Sequence, residues 1–128
     1  MTTHYLACDL GAESGRLMLG SLDGAQLALE EIHRFPNTPV QRDGSLHWNI
    51  PALFEELKAG LKKAAARPQY FSGLSTDAWG LDYVLLAEDG SVIGPTFHYR
   101  DPRTARGVTA VQAKLSWETI FEIGRAHV

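Results

Sequence analysis

The sequence predicts an α/β domain whose mixed sheet begins as a three-stranded antiparallel meander. Three observations predict it. Apolar runs alternate with turn residues through the first 35 positions, one long stretch then repeats its apolar residues at helical spacing, and a further apolar run follows its proline stop. The chain has 128 residues, 45% of them hydrophobic, which suits one globular domain with a modest core.

Tyr5 to Cys8 reads as a short buried strand and Arg16 to Leu22 as a second. Asp23-Gly24 is a hairpin turn signal, because glycine accepts a positive φ without a Cβ clash. Gln26 to Phe35 reads as the third strand, with Leu27 and Leu29 on one face. Phe35 to Trp48 is loop-like, carrying Pro36, Pro39 and a turn at Asp43-Gly44. Asn49 then suits a helix N-cap and Pro51 its first turn, where no N–H is required. Leu53, Phe54, Leu57, Leu61 and Ala64 form the apolar stripe, Lys58, Lys62 and Lys63 the wet side, and Pro68 the stop. Tyr70 to Ser75 reads as a fourth strand, and Leu81 to Ala87 as a fifth, ended by Glu88-Asp89-Gly90. Asp101-Pro102 opens a second helix with Val108 and Val111 inward, and Ser116 caps a third. The order of three strands, helix and strand is the opening of a ribonuclease H-like (actin-like ATPase) domain, as a partial N-terminal lobe.

Composition narrows the function classes. A net charge of −3 with no basic cluster gives no reason to expect a nucleic-acid partner. No apolar run approaches the ~18 residues of a membrane span, and Met1-Thr2-Thr3-His4 does not open a signal sequence. The single cysteine, Cys8, fits a reducing cytoplasm and reads as a small core residue. The histidines at 4, 33, 47, 98 and 127 lack metal-ligand spacing.

One corner is chemically suggestive. In "DLGAESGR", residues 9–16, a carboxylate ends one strand and two glycines, a serine and an arginine precede the next. A turn from Gly11 to Gly15 exposes backbone N–H groups that can cradle phosphate oxygens, with Ser14 adding a hydroxyl and Arg16 a charge-assisted bond. Asp9 would repel phosphate unless a cation lay between, and Mg²⁺ with its retained waters is the usual one. A plain hairpin, with Asp9 and Ser14 bonding the turn and Arg16 solvated, explains the same spacing.

Four further stretches stand beside it: "HRFPN" at 33–37, Trp48-Asn49, "STDAWGLDYVLL" at 75–86 and "HYRDPRT" at 98–104. Together with "DLGAESGR" they resemble the FGGY carbohydrate kinases, specifically their rhamnulokinase group, in register from about Tyr5 to Ile123. The resemblance implies a kinase using ATP and Mg²⁺ to convert L-rhamnulose to L-rhamnulose 1-phosphate. It implies that Asp9 lies near Mg-ATP and holds the metal through water. Ala12, Glu13, Ser14, Gly15 and Arg16 would face the ATP phosphates. Gly80 would contact the ketose, Trp79 and Asp82 would line its pocket, and Tyr99 and Arg100 would lie on the sugar side. Glu13 and Ala78 depart from the commoner serine or threonine and threonine, and Glu13 adds negative charge beside the phosphate turn.

Residues alone leave plainer readings open. Trp79 suits a core aromatic, Asp101 a helix cap, and Arg100 an ion pair. Asp77 and Asp82 would point to different faces of an alternating strand. The resemblance implies a second lobe in cis that supplies the general base and most of the nucleotide pocket, so no catalytic residue is expected in this chain and it should be inert alone. The closing "EIGRAHV" resembles translated sequencing-adapter DNA. The family region is therefore expected over 1–123, with 124–128 a non-native tail. Another FGGY kinase acting on a different ketose or polyol, or a non-catalytic actin-like binding fragment, are the competing functions.

Overall fold

A computed structural model describes residues 1–125. Of the expected non-native tail, residues 126–128 lie outside the described residues, while Gly124 and Arg125 continue the last helix.

The meander forms as expected. β1 (Thr3–Leu10), β2 (Ser14–Asp23) and β3 (Gln26–Pro36) pair antiparallel in succession. The helix α1 (Ile50–Ala65) then carries the chain across the sheet to β6 (Phe71–Ala78), which pairs parallel with β1. The sheet order is β3-β2-β1-β6, the mixed sheet of the actin-like ATPase fold. Between β3 and α1, residues that read as loop form a short hairpin, β4 (Val40–Arg42) with β5 (Ser45–His47), around the Asp43-Gly44 turn.

Alternation puts Leu6 and Cys8 of β1 and Leu17 of β2 on the face that α1 covers with Ala64, with Ile32, Leu57, Leu61 and Phe71 around them. Burial pushes the Cys8 thiol above its ordinary pKa despite a hydrogen bond with Thr76, so it packs as a core residue rather than a reactive thiolate. Leu27 and Leu29 share the expected face and rest near Gly20, yet they stay 62% and 66% exposed. Asn49 caps α1 by accepting the Ala52 N–H at 3.2 Å. Phe54 departs from the stripe. It follows Leu53 by one residue, about 100° around the helix, and lies exposed beneath Lys58 at 5.0 Å.

The second half differs more from expectation. Leu81 to Ala87 is not a strand. It makes only an isolated bridge, Leu86 to Val92, and a loose reversal closed by Ala87 N–H to the Ser91 carbonyl at 2.8 Å and Ile93 N–H to the Leu85 carbonyl at 2.8 Å. The strand-like composition does not join the sheet, although β6 is an edge strand, because Trp79 and Asp82 are tied to Trp48 instead. α2 (Arg103–Gln112) buries no residue, so Val108 and Val111, expected inward, are 48% and 47% exposed. α3 (Trp117–Arg125) begins as expected, with the Ser116 hydroxyl accepting the Thr119 N–H at 3.2 Å.

Candidate functional site

The expected residues gather into two groups joined by a groove. The first is the corner between β1 and β2. Gly11 N–H donates to the Ser14 carbonyl at 3.0 Å, which closes a tight reversal with Ala12 and Glu13 at its tip. Both glycines that frame it are sterically required. A Cβ on Gly11 would sit 2.7 Å from the Ser14 carbonyl oxygen, and one on Gly15 would sit 2.2 Å from the Phe35 ring. The amide N–H groups of Ala12 and Glu13 have no acceptor among the described residues.

Asp9 and Arg16 are cross-strand partners and form an ion pair at 2.6 Å, each about two-fifths exposed. Arg16 is therefore not simply solvated, and its buried Nε has no hydrogen-bond partner. On its other side Asp9 is register partner to Asp77 of β6, so two carboxylates end adjacent parallel strands. Among the described residues, no three His, Cys, Asp or Glu side chains gather to hold a metal directly.

The second group is an aromatic wall. Trp48, buried at the mouth of α1, packs against Trp79 at 4.2 Å and His98 at 4.0 Å between ring centroids, and His98 stacks on Tyr99 at 4.6 Å. Asp82 ties the wall together. One of its carboxylate oxygens accepts the indole N–H of Trp48, that of Trp79 at 3.1 Å and the backbone N–H of Tyr99 at 3.2 Å. Asp82 thus sits with Trp79 as expected, with its Oδ2 committed to the wall. The Arg100 N–H donates to His98 Nδ1 at 2.9 Å, which fixes a neutral imidazole with the proton on Nε2. Burial pushes the His98 pKa down; Asp82 opposes this, Arg100 adds to it, and Asp101 opposes it.

Asp101 caps the turn before α2, accepting the Arg103 N–H at 2.9 Å on one oxygen and the Leu46 N–H on the other. These two backbone bonds hold its pKa below the usual carboxylate range. Gly80 is the exception in this group, because a Cβ there would meet nothing within 4 Å.

A groove of about 310 Å³ links the groups, lined among others by Ala12, Glu13, Asn37, His98 and Arg100. Across it Arg100 reaches Glu13 at 3.9 Å, a long and exposed pair. Three residues that shape this region escaped the sequence reading: Asn37, Trp48 and His98. Their signals lie in "HRFPN", in Trp48 beside the Asn49 cap and in "HYRD", all far along the chain from the turn at 9–16.

No protein-family model matches the chain. The rhamnulokinase of Mannheimia succiniciproducens is 44% identical over 117 residues, 90% of this chain. That of Bacteroides thetaiotaomicron is 39% identical over 121 residues, 94% of this chain. The chain is similar to these rhamnulokinases along most of its own length. It spans about a quarter of their length, 24% and 25% for these two. In fold, the xylulose kinase of Rhodospirillum rubrum matches 90% of the chain and 24% of its own length, with a TM-score of 0.68 at 19% identity. The gluconate kinase of Lactobacillus acidophilus matches 88% and 23%, with a TM-score of 0.67 at 11% identity. No helix among the described residues is long and apolar enough to cross a membrane.

Proposed function

We propose that residues 1–123 are the N-terminal part of an ATP-dependent kinase that converts L-rhamnulose to L-rhamnulose 1-phosphate. The observation that carries this reading is the 44% identity to a rhamnulokinase over 90% of the chain. The corner at Asp9 supports it, because a tip with unpartnered amides is chemically suited to phosphate oxygens. Gly80 supports it from the other side. The fold does not require a glycine there, so the open space is available to a ketose.

In this reading the chain's residues act by positioning. Phosphoryl transfer draws most of its catalysis from alignment and charge neutralisation. The Ala12–Glu13 tip and Ser14 hold phosphate oxygens, and Arg16 lies beside them. Two adjacent carboxylates, one already paired with Arg16, suit a hydrated cation better than direct coordination. Mg²⁺ would be held through its waters by Asp9 with Asp77 alongside, where it would neutralise phosphate charge. The wall of Trp48, Trp79 and Tyr99 fixes the segment that carries Gly80. The general base and a second lobe belong to the rest of the enzyme, and residues 124–128 to a non-native tail.

A chimera tests the reading. Residues 1–123 replace the aligned segment of the Mannheimia succiniciproducens rhamnulokinase, and phosphorylation of L-rhamnulose, D-xylulose and glycerol is compared. A folded chimera that prefers L-rhamnulose supports the proposal. One that folds and prefers another sugar or polyol refutes it. Sequencing the source locus past codon 123 tests the boundary, where an open frame continuing into a second lobe is expected.

A further inference from the structure

The corner between β1 and β2 is held by Asn37, whose backbone extends the β2–β3 ladder by one bond and whose side chain reaches beyond it. Asn37 is 4% exposed and follows the end of β3. Its side-chain Nδ2 donates to the Gly11 carbonyl at 2.9 Å, and its backbone N–H donates to the Glu13 carbonyl at 2.9 Å. The Gly11 and Glu13 carbonyls are therefore turned toward Asn37. A trans peptide places its N–H opposite its C=O. Holding the Gly11 carbonyl inward aims the Ala12 N–H away from Asn37, and holding the Glu13 carbonyl does the same for Ser14. A flip of either peptide would present a carbonyl oxygen where an anion must bind.

We propose that Asn37 is the positioning residue of this turn, locking the two peptides so that their N–H groups face a phosphoryl group. The proposal rests on the phosphate-binding reading above for its ligand, while the peptide lock itself does not. Asn37 also lines the groove shared with His98 and Arg100, so it sits where the two halves of the site meet.

The test uses the 128-residue chain labelled with ¹⁵N, titrated with Mg-ATP and with inorganic tripolyphosphate. Wild-type chain should show saturable shifts at the Ala12, Glu13 and Ser14 amides with both probes. Asn37→Ala removes the side-chain donor and should weaken both by about tenfold or more. Asn37→Asp, of the same size, should be as weak at pH 8, because a carboxylate faces the Gly11 carbonyl. It should recover as the pH falls toward 5.5, since a protonated carboxyl donates and burial beside a carbonyl favours that form. Asn37→Ala should show no such recovery, and wild type at each pH is the reference. Unchanged affinity in both variants overturns the proposal, as does a pH-independent Asn37→Asp. If wild type binds neither probe, the phosphate reading falls, and amide couplings and exchange rates at Ala12 and Ser14 without ligand decide the lock. Couplings identical in wild type and both variants overturn it, whereas couplings altered at pH 8 and restored at pH 5.5 in Asn37→Asp support it. Should Asn37→Ala fail to fold, Asn37→Asp carries the comparison alone.

Discussion

The two halves of the site are held in different ways. The corner at Asp9 is framed by strand ladders, with β1 and β2 in continuous register from Thr3–Leu22 to Leu10–Gly15. The wall around Trp48 has almost no ladder. It is assembled from residues 48, 79, 82, 98 and 99 by ring packing, one carboxylate and a single bridge, in which the Trp48 N–H donates to the Thr96 carbonyl and the His98 N–H to the Leu46 carbonyl, both at 2.9 Å. The corner should therefore fail through steric clash within a rigid frame. The wall should fail through loss of a single acceptor, with the sheet left standing.

The largest effect is expected at Gly15. Gly15→Ala sets a Cβ into the Phe35 ring and should cost about 2–3 kcal/mol, read by urea denaturation. Gly80→Ala is its counterpart. It should change stability by less than about 0.5 kcal/mol, because nothing lies within 4 Å. In the chimera the same change should raise KM for L-rhamnulose. Equal destabilisation by the two substitutions would erase the contrast.

Asp82→Ala comes next. It leaves the Trp48 and Trp79 indole N–H groups and the Tyr99 N–H without their acceptor, and should cost about 1–3 kcal/mol. Near-UV circular dichroism should lose the signal of the closely packed Trp48–Trp79 pair, while the far-UV signal of the sheet persists. Asp82→Asn retains an acceptor oxygen and should be milder. A wall spectrum unchanged in Asp82→Ala would show that ring packing alone holds it.

Acid should then separate the groups by pH. His98 has a lowered pKa when folded, so the unfolded chain binds the proton more readily. Its contribution is complete above the ordinary value of about 6.5 and is lost as the pH falls from there toward the folded value. Asp101, also lowered, keeps its contribution above the ordinary carboxylate value of about 3.9 and loses it as the pH falls through the folded value. Thermal midpoints between pH 8 and 5 should fall for wild type and be flatter in His98→Phe. Parallel curves would remove the wall from the acid response.

Asp9→Asn should also have little effect on stability, under about 1 kcal/mol, because the Asp9–Arg16 pair is partly exposed and screened. In the chimera it should nevertheless lower kcat and raise the Mg²⁺ requirement. Near wild-type kcat at ordinary Mg²⁺ would return the corner to a plain hairpin.

The meander, the Asn49 cap, α1 and the parallel β6 were legible because their signals are local: alternation, a turn pair, helical spacing and a proline stop. The corner was legible too, since Gly11, Ser14, Gly15 and Arg16 lie within a few residues of Asp9. The expected strand at 81–87 was the main error of element type. Leu81, Val84, Leu85 and Leu86 have strand composition, but Trp79 and Asp82 hold the start of this run against Trp48 rather than along the open edge of β6. The inward aim of Val108 and Val111 failed for a related reason. A helical stripe states which residues share a face, not whether anything covers that face.

The sequence by itself determined the β-meander, the helix crossing, the clustering of residues at the corner and the likeness to sugar kinases. Only the tertiary structure decided that Arg16 pairs with Asp9, that Asp82 holds the wall, that His98 is neutral and that Asn37 reaches back to Gly11. The Asp9–Arg16, Gly11–Asn37 and Trp48–Asp82 contacts join residues 7 to 34 positions apart, closed by single side chains whose partners carry no periodic signature. Propensity acts on neighbours along the chain. Which polar group meets which across the fold is fixed when the backbone brings them together and leaves each buried donor in need of an acceptor.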